Sequence, residues 1–340
     1  MMRGVEGAVV TLSSGNPERG MPKPDVTIII VNWNTREILR DCLRSVYRNA
    51  GPIDFEVIVV DNASTDGSAE MVRTEFDKVQ LIANSDNRGF AAANNQGMAV
   101  ATGRYVLLLN SDTIVLDGAI ARSVEFADVH SDAAVIGCRV LNRDRSLQPT
   151  CFMYPSVLNL AIAVLYLDKL FPRNRFFGRE RMTWWNRDDV REVEVVTGCY
   201  MLVRREALDC VGLMDSDYFM YGEETDWCWR FHRAGWRLMF TPSGEIIHLG
   251  GQSTAQVRPR MLLQLRSGVL LFFHKQRSRP AYWAACLLTS LWFTVRIPAW
   301  GLKALLSRKN RANSLLLVRT YAKGCIKSLG GWRGLCTAVS

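Results

Sequence analysis

An α/β fold built on a doubly wound, mostly parallel sheet is predicted by three features of the sequence. Apolar runs of strand length alternate with helical patterns through residues 25–109. Three of the four runs end in Asn or Asp. The runs are continuously apolar rather than alternating, as strands covered on both faces are. In such a sheet the carboxyl ends of the strands border the ligand crevice, so polar residues just past them face whatever binds there.

The elements follow in order. Residues 1–24 hold no long apolar stretch of the secretory type and read as a disordered leader. Residues 25–31 (DVTIIIV) form a first strand, closed by Asn32, Trp33 and Asn34. Thr35 then opens a helix with Glu37 near its first turn and Ile38, Cys42, Leu43 and Val46 on one face. A second strand, 56–60 (EVIVV), ends at Asp61 in a turn-rich segment, 61–68, that leads into another helix. A third, 79–83, is followed by a polar loop at 84–89 and an Ala-rich helix at 90–101. The fourth, 105–109 (YVLLL), runs directly into Asn110, Ser111 and Asp112.

Beyond it the character changes. Residues 151–192 combine an apolar stretch with Phe and Trp interleaved with Arg, and read as an insertion over the sheet. Strand character returns at 194–203 around Thr197 and Gly198, a helix is expected at 219–235 after a polar turn, and strand-like 245–247 precedes His248.

With 340 residues and 48% apolar content the chain can bury a sizeable core. Nine scattered cysteines without a C-x-x-C pair argue for a reducing compartment and against structural zinc. The net charge of +9 conceals an asymmetry: no acid follows Glu245, whereas fifteen Lys and Arg do, which leaves the first 245 residues at −6. A basic tail on an acidic body implies an anionic partner surface. No nucleic-acid module accompanies the charge, so nucleic acid is not the expected partner. Residues 281–295 are uncharged but shorter than the ~20 apolar residues of a membrane span, and Arg296 follows. Cations and tryptophans on the flanks fit a helix lying in the headgroup layer, the alternative being a helix packed on the preceding α/β domain.

Asp112, placed where buried apolar sequence gives way to a loop, reads as a metal- or phosphate-handling group, although a surface loop also carries such an acid. His248 is a ligand only if company is folded onto it. Asp226 and Arg230 have the spacing of a helical ion pair, whereas Glu224 has no opposite charge at i+3 or i+4.

The ordered set VTIIIVNWN, EVIVVDNASTDGS, NRGFAAANNQGM, YVLLLNSDT, TGCYMLVRRE, YGEETDWCWR and HLGGQS resembles the family 2 glycosyltransferases of the GT-A fold, over residues 25–255. Within them it looks most like the rhamnosyltransferase-like branch of bacterial cell-wall and surface polysaccharide biosynthesis. The resemblance implies a GT-A nucleotide-diphospho-sugar transferase domain at 25–255, with 256–340 as a basic, helical, membrane-associated tail. It implies a metal site at Asp112, the last acid of the family's D-x-D, where Asn110 replaces the first acid, with His248 as second ligand for Mg2+ or Mn2+. Asn32, Asp61, Asn87, Gly89, Asn94 and Ser111 occupy the nucleotide-binding positions; Asn32 and Asp61 equally suit turn-capping, and Arg88 a solvated charge.

Glu224 takes the place of the family's catalytic Asp, one methylene longer and so displaced by roughly 1.5 Å, with Glu223 as runner-up. Both also suit the first turn of a helix. The family implies inversion at the anomeric carbon. The expected donor is a nucleotide-diphosphate sugar, with dTDP-rhamnose first. The expected acceptor is a polyprenyl-linked or other glycan, and the expected location is the cytoplasmic face of the plasma (inner) membrane, peripheral or monotopic. Two rivals are a non-catalytic sugar-nucleotide-binding membrane scaffold and a sugar nucleotidyltransferase. The latter usually carries a Gly-rich loop after its first strand, and no glycine lies in 25–50.

Overall fold

The computed structural model describes residues 23–250, 258–307 and 310–336. The expected leader up to residue 22 and the loop glycine and polar residues at 251–253 lie outside them.

The sheet begins as expected. β1 (Val26–Asn32) alternates with α1 (Arg36–Asn49), β2 (Phe55–Asp61), α2 (Ser68–Glu75), β3 (Val79–Ala83), α3 (Phe90–Val100) and β4 (Tyr105–Asn110). β3, β2, β1 and β4 lie side by side in that order, all parallel. Ile28, Ile29 and Ile30 are all fully buried, which requires both faces of the sheet to be covered. Each such side chain contributes about 1.5–3 kcal/mol relative to exposure. One face packs Leu39, Cys42, Leu43 and Val46 of α1 against Ile28 and Ile30; the other packs Ala91 and Ala93 of α3 against Ile29.

From Asn110 onward the sheet departs from the parallel pattern. β5 (Thr113–Val115), α4 (Ala119–Val129) and β6 (Ala133–Leu141) come next. The insertion follows, with α5 (Val157–Val164) and α6 (Leu167–Leu170), then β7 (Arg191–Glu192), β8 (Tyr200–Arg204), α7 (Arg205–Val211), α8 (Glu223–Arg233) and β9 (Arg237–His248). β8 inserts antiparallel between β4 and β6, β6 and β9 pair in parallel, and β5 closes the edge antiparallel to β9. The sheet is thus mixed, with its parallel half carrying the first four strands.

Two expected elements are shorter than the sequence suggested. Residues 194–199 are irregular apart from a bridge between Phe152 and Val195, and the strand starts at Tyr200. The helix expected from 219 starts at Glu223, because Tyr221 and Gly222 take left-handed conformations with φ of 69° and 104°.

The tail is helical: α9 (Arg258–Gln276), α10 (Arg279–Thr294), α11 (Ile297–Leu306), α12 (Arg311–Leu329) and α13 (Gly331–Leu335). α9 is built into the catalytic body, since its fully buried Phe272 joins the core beside Trp227 and Phe231 of α8. The remaining helices form a third core with α9 and with Leu160 of the insertion. α10 and α11 run on as Arg279–Leu306, a 28-residue stretch long and apolar enough to cross a membrane by length and composition.

Candidate active site

A cleft of about 340 Å³ opens at the carboxyl ends of β1 and β4. Its walls come from the turn after each of those strands, the loop before α3, the end of β9, the segment 197–199 and the start of α8.

Asp112 sits in the bend between β4 and β5. Because Thr113 pairs with His248 across the β5–β9 ladder, and the Leu249 amide donates to the Asp112 carbonyl at 2.9 Å, the two side chains meet. His248 Nε2 lies 3.1 Å from Asp112 Oδ1 and 3.3 Å from Asn110 Nδ2. The other ring nitrogen, Nδ1, lies 2.6 Å from Gln148 Oε1. Gln148 is oriented from behind, for its Nε2 donates to Asn142 Oδ1 and to the His248 carbonyl. Its oxygen is thus placed to accept a hydrogen bond from Nδ1, which leaves Nε2 facing the Asp112 carboxylate. A carboxylate oxygen and an imidazole nitrogen at that separation could hold one cation between them, and a hydrogen bond to the far ring nitrogen is the usual support of a metal-bound histidine. Among the described residues no group of three or more His, Cys, Asp and Glu gathers. The donor set fits a Mg2+-like ion that takes its other ligands from phosphate and water.

The nucleotide positions expected from the sequence divide. Asn32, Asn87, Gly89 and Ser111 line the cleft, whereas Asp61 and Asn94 do not. Asp61 is buried behind Asn32 and holds the turn after β2, accepting from the Ser64 amide and hydroxyl as well as from Asn32 Nδ2. Asn32 is itself saturated, since Nδ2 also donates to Ser64 and Oδ1 accepts from Thr35 at 2.6 Å. These groups tie the ends of β1 and β2 together, and Thr35 reaches Ser111 after β4 at 3.3 Å. Asn94 lies one helical turn beyond Phe90, is fully buried and donates to the Phe90 carbonyl. Arg88 is exposed beside Asp86.

Residues the sequence did not single out complete this wall: Trp33, Asn62, Gln148 and Tyr221. Asn62 bonds the Gly89 carbonyl at 3.1 Å and accepts from Asn84. Gly89 has φ 81°, and a Cβ there would stand 2.3 Å from the Phe219 carbonyl, so only glycine lets this loop meet the segment before α8. Asn62 was legible as a second polar residue after β2; Gln148 carried no signal, being placed by pairing alone.

Opposite lie Glu223 and Glu224, both lining the cleft from the first turn of α8. Glu223 is buried, with Oε2 lacking a hydrogen-bond partner among the described residues; desolvation, reinforced by the adjacent Glu224, pushes its pKa well above the ordinary carboxylate value. Glu224 is half-buried and accepts from the Gly222 amide at 3.2 Å, and burial raises its pKa as well. Asp226 points the other way, paired with Arg230 at 2.9 Å and with Gln276 of α9 at 2.7 Å. α9 braces this acidic turn further: Gln264 donates to the Met220 carbonyl, Met261 lines the cleft, and a Cβ on Gly268 would lie 2.0 Å from the Tyr221 carbonyl.

The family profile described as "Glycosyl transferase family 2" matches residues 27–212. An N-acetylglucosaminyl-diphospho-decaprenol L-rhamnosyltransferase of Mycobacterium tuberculosis is 27% identical over 276 residues, covering 77% of this chain and 88% of that protein. A low-salt glycan biosynthesis hexosyltransferase of Haloferax volcanii is 24% identical over 290 residues, covering 80% and 84%. In structure, a mannosyltransferase of Pyrobaculum calidifontis, solved with GDP-Man and Mn2+, superposes with a TM-score of 0.55 at 18% identity, covering 91% of this chain and 88% of that one. That likeness concerns the fold.

Proposed function

The chain belongs to glycosyl transferase family 2 and is a GT-A glycosyltransferase. On that premise we propose that it moves a sugar, with inversion, from a nucleoside-diphosphate donor to a hydroxyl of a lipid-linked glycan acceptor. Rhamnose from dTDP-rhamnose is the first choice of donor. A polyprenyl-diphosphate-linked sugar is the acceptor, in keeping with the name of the mycobacterial relative. The observation that carries the reading is the convergence of Asp112 and His248 with Glu223 and Glu224 on one cleft.

In this reading Asp112 Oδ1 and His248 Nε2 hold a Mg2+ or Mn2+ ion, which when bound neutralises charge on the diphosphate. Gln148 fixes the imidazole and Asn110 supports it. Trp33, Asn87, Ser111 and the backbone at Gly89 form the nucleotide wall, with Asn32 and Asp61 holding that wall in shape. Glu224 is the general base. Its carboxylate takes the proton of the acceptor hydroxyl as that oxygen bonds to the anomeric carbon. The bond from this carbon to the diphosphate breaks, and its electron pair leaves with the nucleoside diphosphate. A base with a raised pKa accepts a proton near neutrality more readily than an ordinary carboxylate. Glu223, buried beside it, lines the same wall of the site and favours its neutral form.

The basic tail keeps the enzyme on the cytoplasmic face of the plasma membrane, peripheral or monotopic, where soluble donor and lipid-borne acceptor meet. A thermal-shift panel of nucleotide sugars with Mg2+ or Mn2+, followed by an assay of nucleoside diphosphate release with a polyprenyl-diphosphate-linked N-acetylglucosamine, tests the reading. dTDP-rhamnose is expected to give the largest shift and to be turned over. A shift and turnover confined to another nucleotide sugar would reassign the donor, and turnover with none would remove the proposal.

A further inference from the structure

Exposed apolar side chains are unevenly placed on this molecule. Outside residues 157–176 and 283–329, the large apolar side chains that stand exposed among the described residues are Tyr47, Val100, Val129, Val190 and Leu213, scattered singly. Inside those two segments they are concentrated. On α10 and its C-cap, Trp283, Leu287, Leu291 and Val295 recur every fourth residue and so form one stripe along a side of the helix. Leu305 of α11 is 78% exposed and Leu170 of the insertion 66%, with Phe171 and Phe176 beside it in sequence.

Though more than a hundred residues apart in sequence, the two segments belong to one packed unit. Leu160 of α5 shares a core with Ala285, Cys286 and Phe293 of α10 and Tyr321 of α12. Arg296 clamps the join: Nη2 donates to the Ala163 carbonyl at 3.0 Å, and the guanidinium stacks 4.1 Å from the Tyr166 ring and 3.8 Å from Trp292. The exposed row on α10 and the exposed apolar residues of the insertion are therefore carried by one packed unit. The opposite side of α10 is committed, with Ala285, Thr289 and Phe293 fully buried and Phe293 seated against Gly324 of α12. Threading Arg279–Leu306 through a bilayer would require dismantling that core and drawing Arg296 out of its clamp.

The charge names the partner. No Asp or Glu follows Glu245, and of the tail's described cations only Lys275 lies within ion-pair distance of a carboxylate, bridging Asp215 and Asp217. Arg279, Lys303, Arg311, Arg319, Lys323 and Lys327 are exposed among the apolar residues. An apolar face rimmed by unpaired cations is complementary to an anionic leaflet, in which such helices lie flat at the level of the headgroups.

We propose that the insertion and the tail helices together form one in-plane docking face for an anionic lipid bilayer. This deepens the membrane part of the proposed function and is read without donor or acceptor, so failure of either leaves the other standing.

The test is co-sedimentation of the full chain with vesicles of phosphatidylcholine alone or with one-third phosphatidylglycerol. The wild type is compared with a tail variant (Leu287→Asp with Leu291→Asp) and an insertion variant (Leu170→Asp with Phe171→Asp). Melting temperatures check that these surface changes leave the fold intact. Binding to the anionic vesicles is expected to exceed binding to the neutral ones by at least about tenfold, given several exposed cations each attracted to the surface. Each variant is expected to lose most of that binding. An insertion variant that sediments like the wild type would confine docking to the tail and overturn the shared face. Equal binding to both vesicle types, or self-association with no vesicle binding, would also overturn it.

Discussion

His248 is held by a 2.6 Å contact from Nδ1 to Gln148, and this contact decides which nitrogen faces Asp112. Gln148→Leu removes the acceptor while keeping the bulk. The concentration of Mn2+ needed to promote donor binding, read by thermal shift, is expected to rise about 10- to 100-fold, as is usual for the loss of such support. An unchanged metal requirement would mean that the imidazole does not serve a cation.

Glu223 gives a prediction of opposite character. Its pKa is higher in the folded protein than in the unfolded chain, so the stability it contributes is present below the ordinary carboxylate value and is lost as the pH rises through the raised one. Glu223→Gln keeps the neutral form at every pH. Its melting temperature relative to wild type is expected to be higher at pH 8 than at pH 5, and a gap independent of pH would contradict the assignment.

At this scale the sequence was informative where one residue type suffices. Asp112 and His248 could each be suspected, but their meeting depends on the Thr113–His248 pairing, which no local pattern announces. Asn94 shows the reverse, for the family resemblance implied a nucleotide-binding position, while helical periodicity turns that side chain inward beneath Phe90.

Among the elements, α9 has the largest influence on the acidic turn. Gly268 lets it approach the Tyr221 carbonyl so closely that an added Cβ would overlap it. Gly268→Ala is expected to destabilise the protein by about 1–3 kcal/mol, the usual result of overpacking, and to lower kcat at temperatures well below melting. Chemical denaturation and steady-state kinetics measure the two effects. Wild-type values for both would show that α9 does not position Glu223 and Glu224.

Element boundaries follow the same logic. β1, β2 and β4 end at Asn32, Asp61 and Asn110, where apolar sequence stops, so their ends could be read directly. β9 was recognisable only near 245–247, because Pro242 and Gly244 interrupt the pattern and the β6 ladder slips from Thr241 to Glu245 at that point. The start of α8 was displaced by four residues since a left-handed Tyr221 is not encoded by any residue-type preference.

For the molecule as a whole, an acidic catalytic body and a tail without acids were visible from charge alone. The parallel half of the sheet was visible from continuous apolar runs. Antiparallel β8 and the edge made by β5 and β9 were not, because both depend on which distant segments pair. Yet those later strands and α8 bring His248 and the glutamates to the acid that follows β4. The central claim is that these groups divide the work on one donor, the metal pair binding it and Glu224 taking the acceptor's proton.

The most direct measurement is nucleoside diphosphate release and donor affinity, determined side by side for wild type and Glu224→Gln. Loss of a general base is expected to slow release by about 10²- to 10⁴-fold, with the donor dissociation constant unchanged. Release at the wild-type rate, or donor binding lost in parallel with release, would contradict the account.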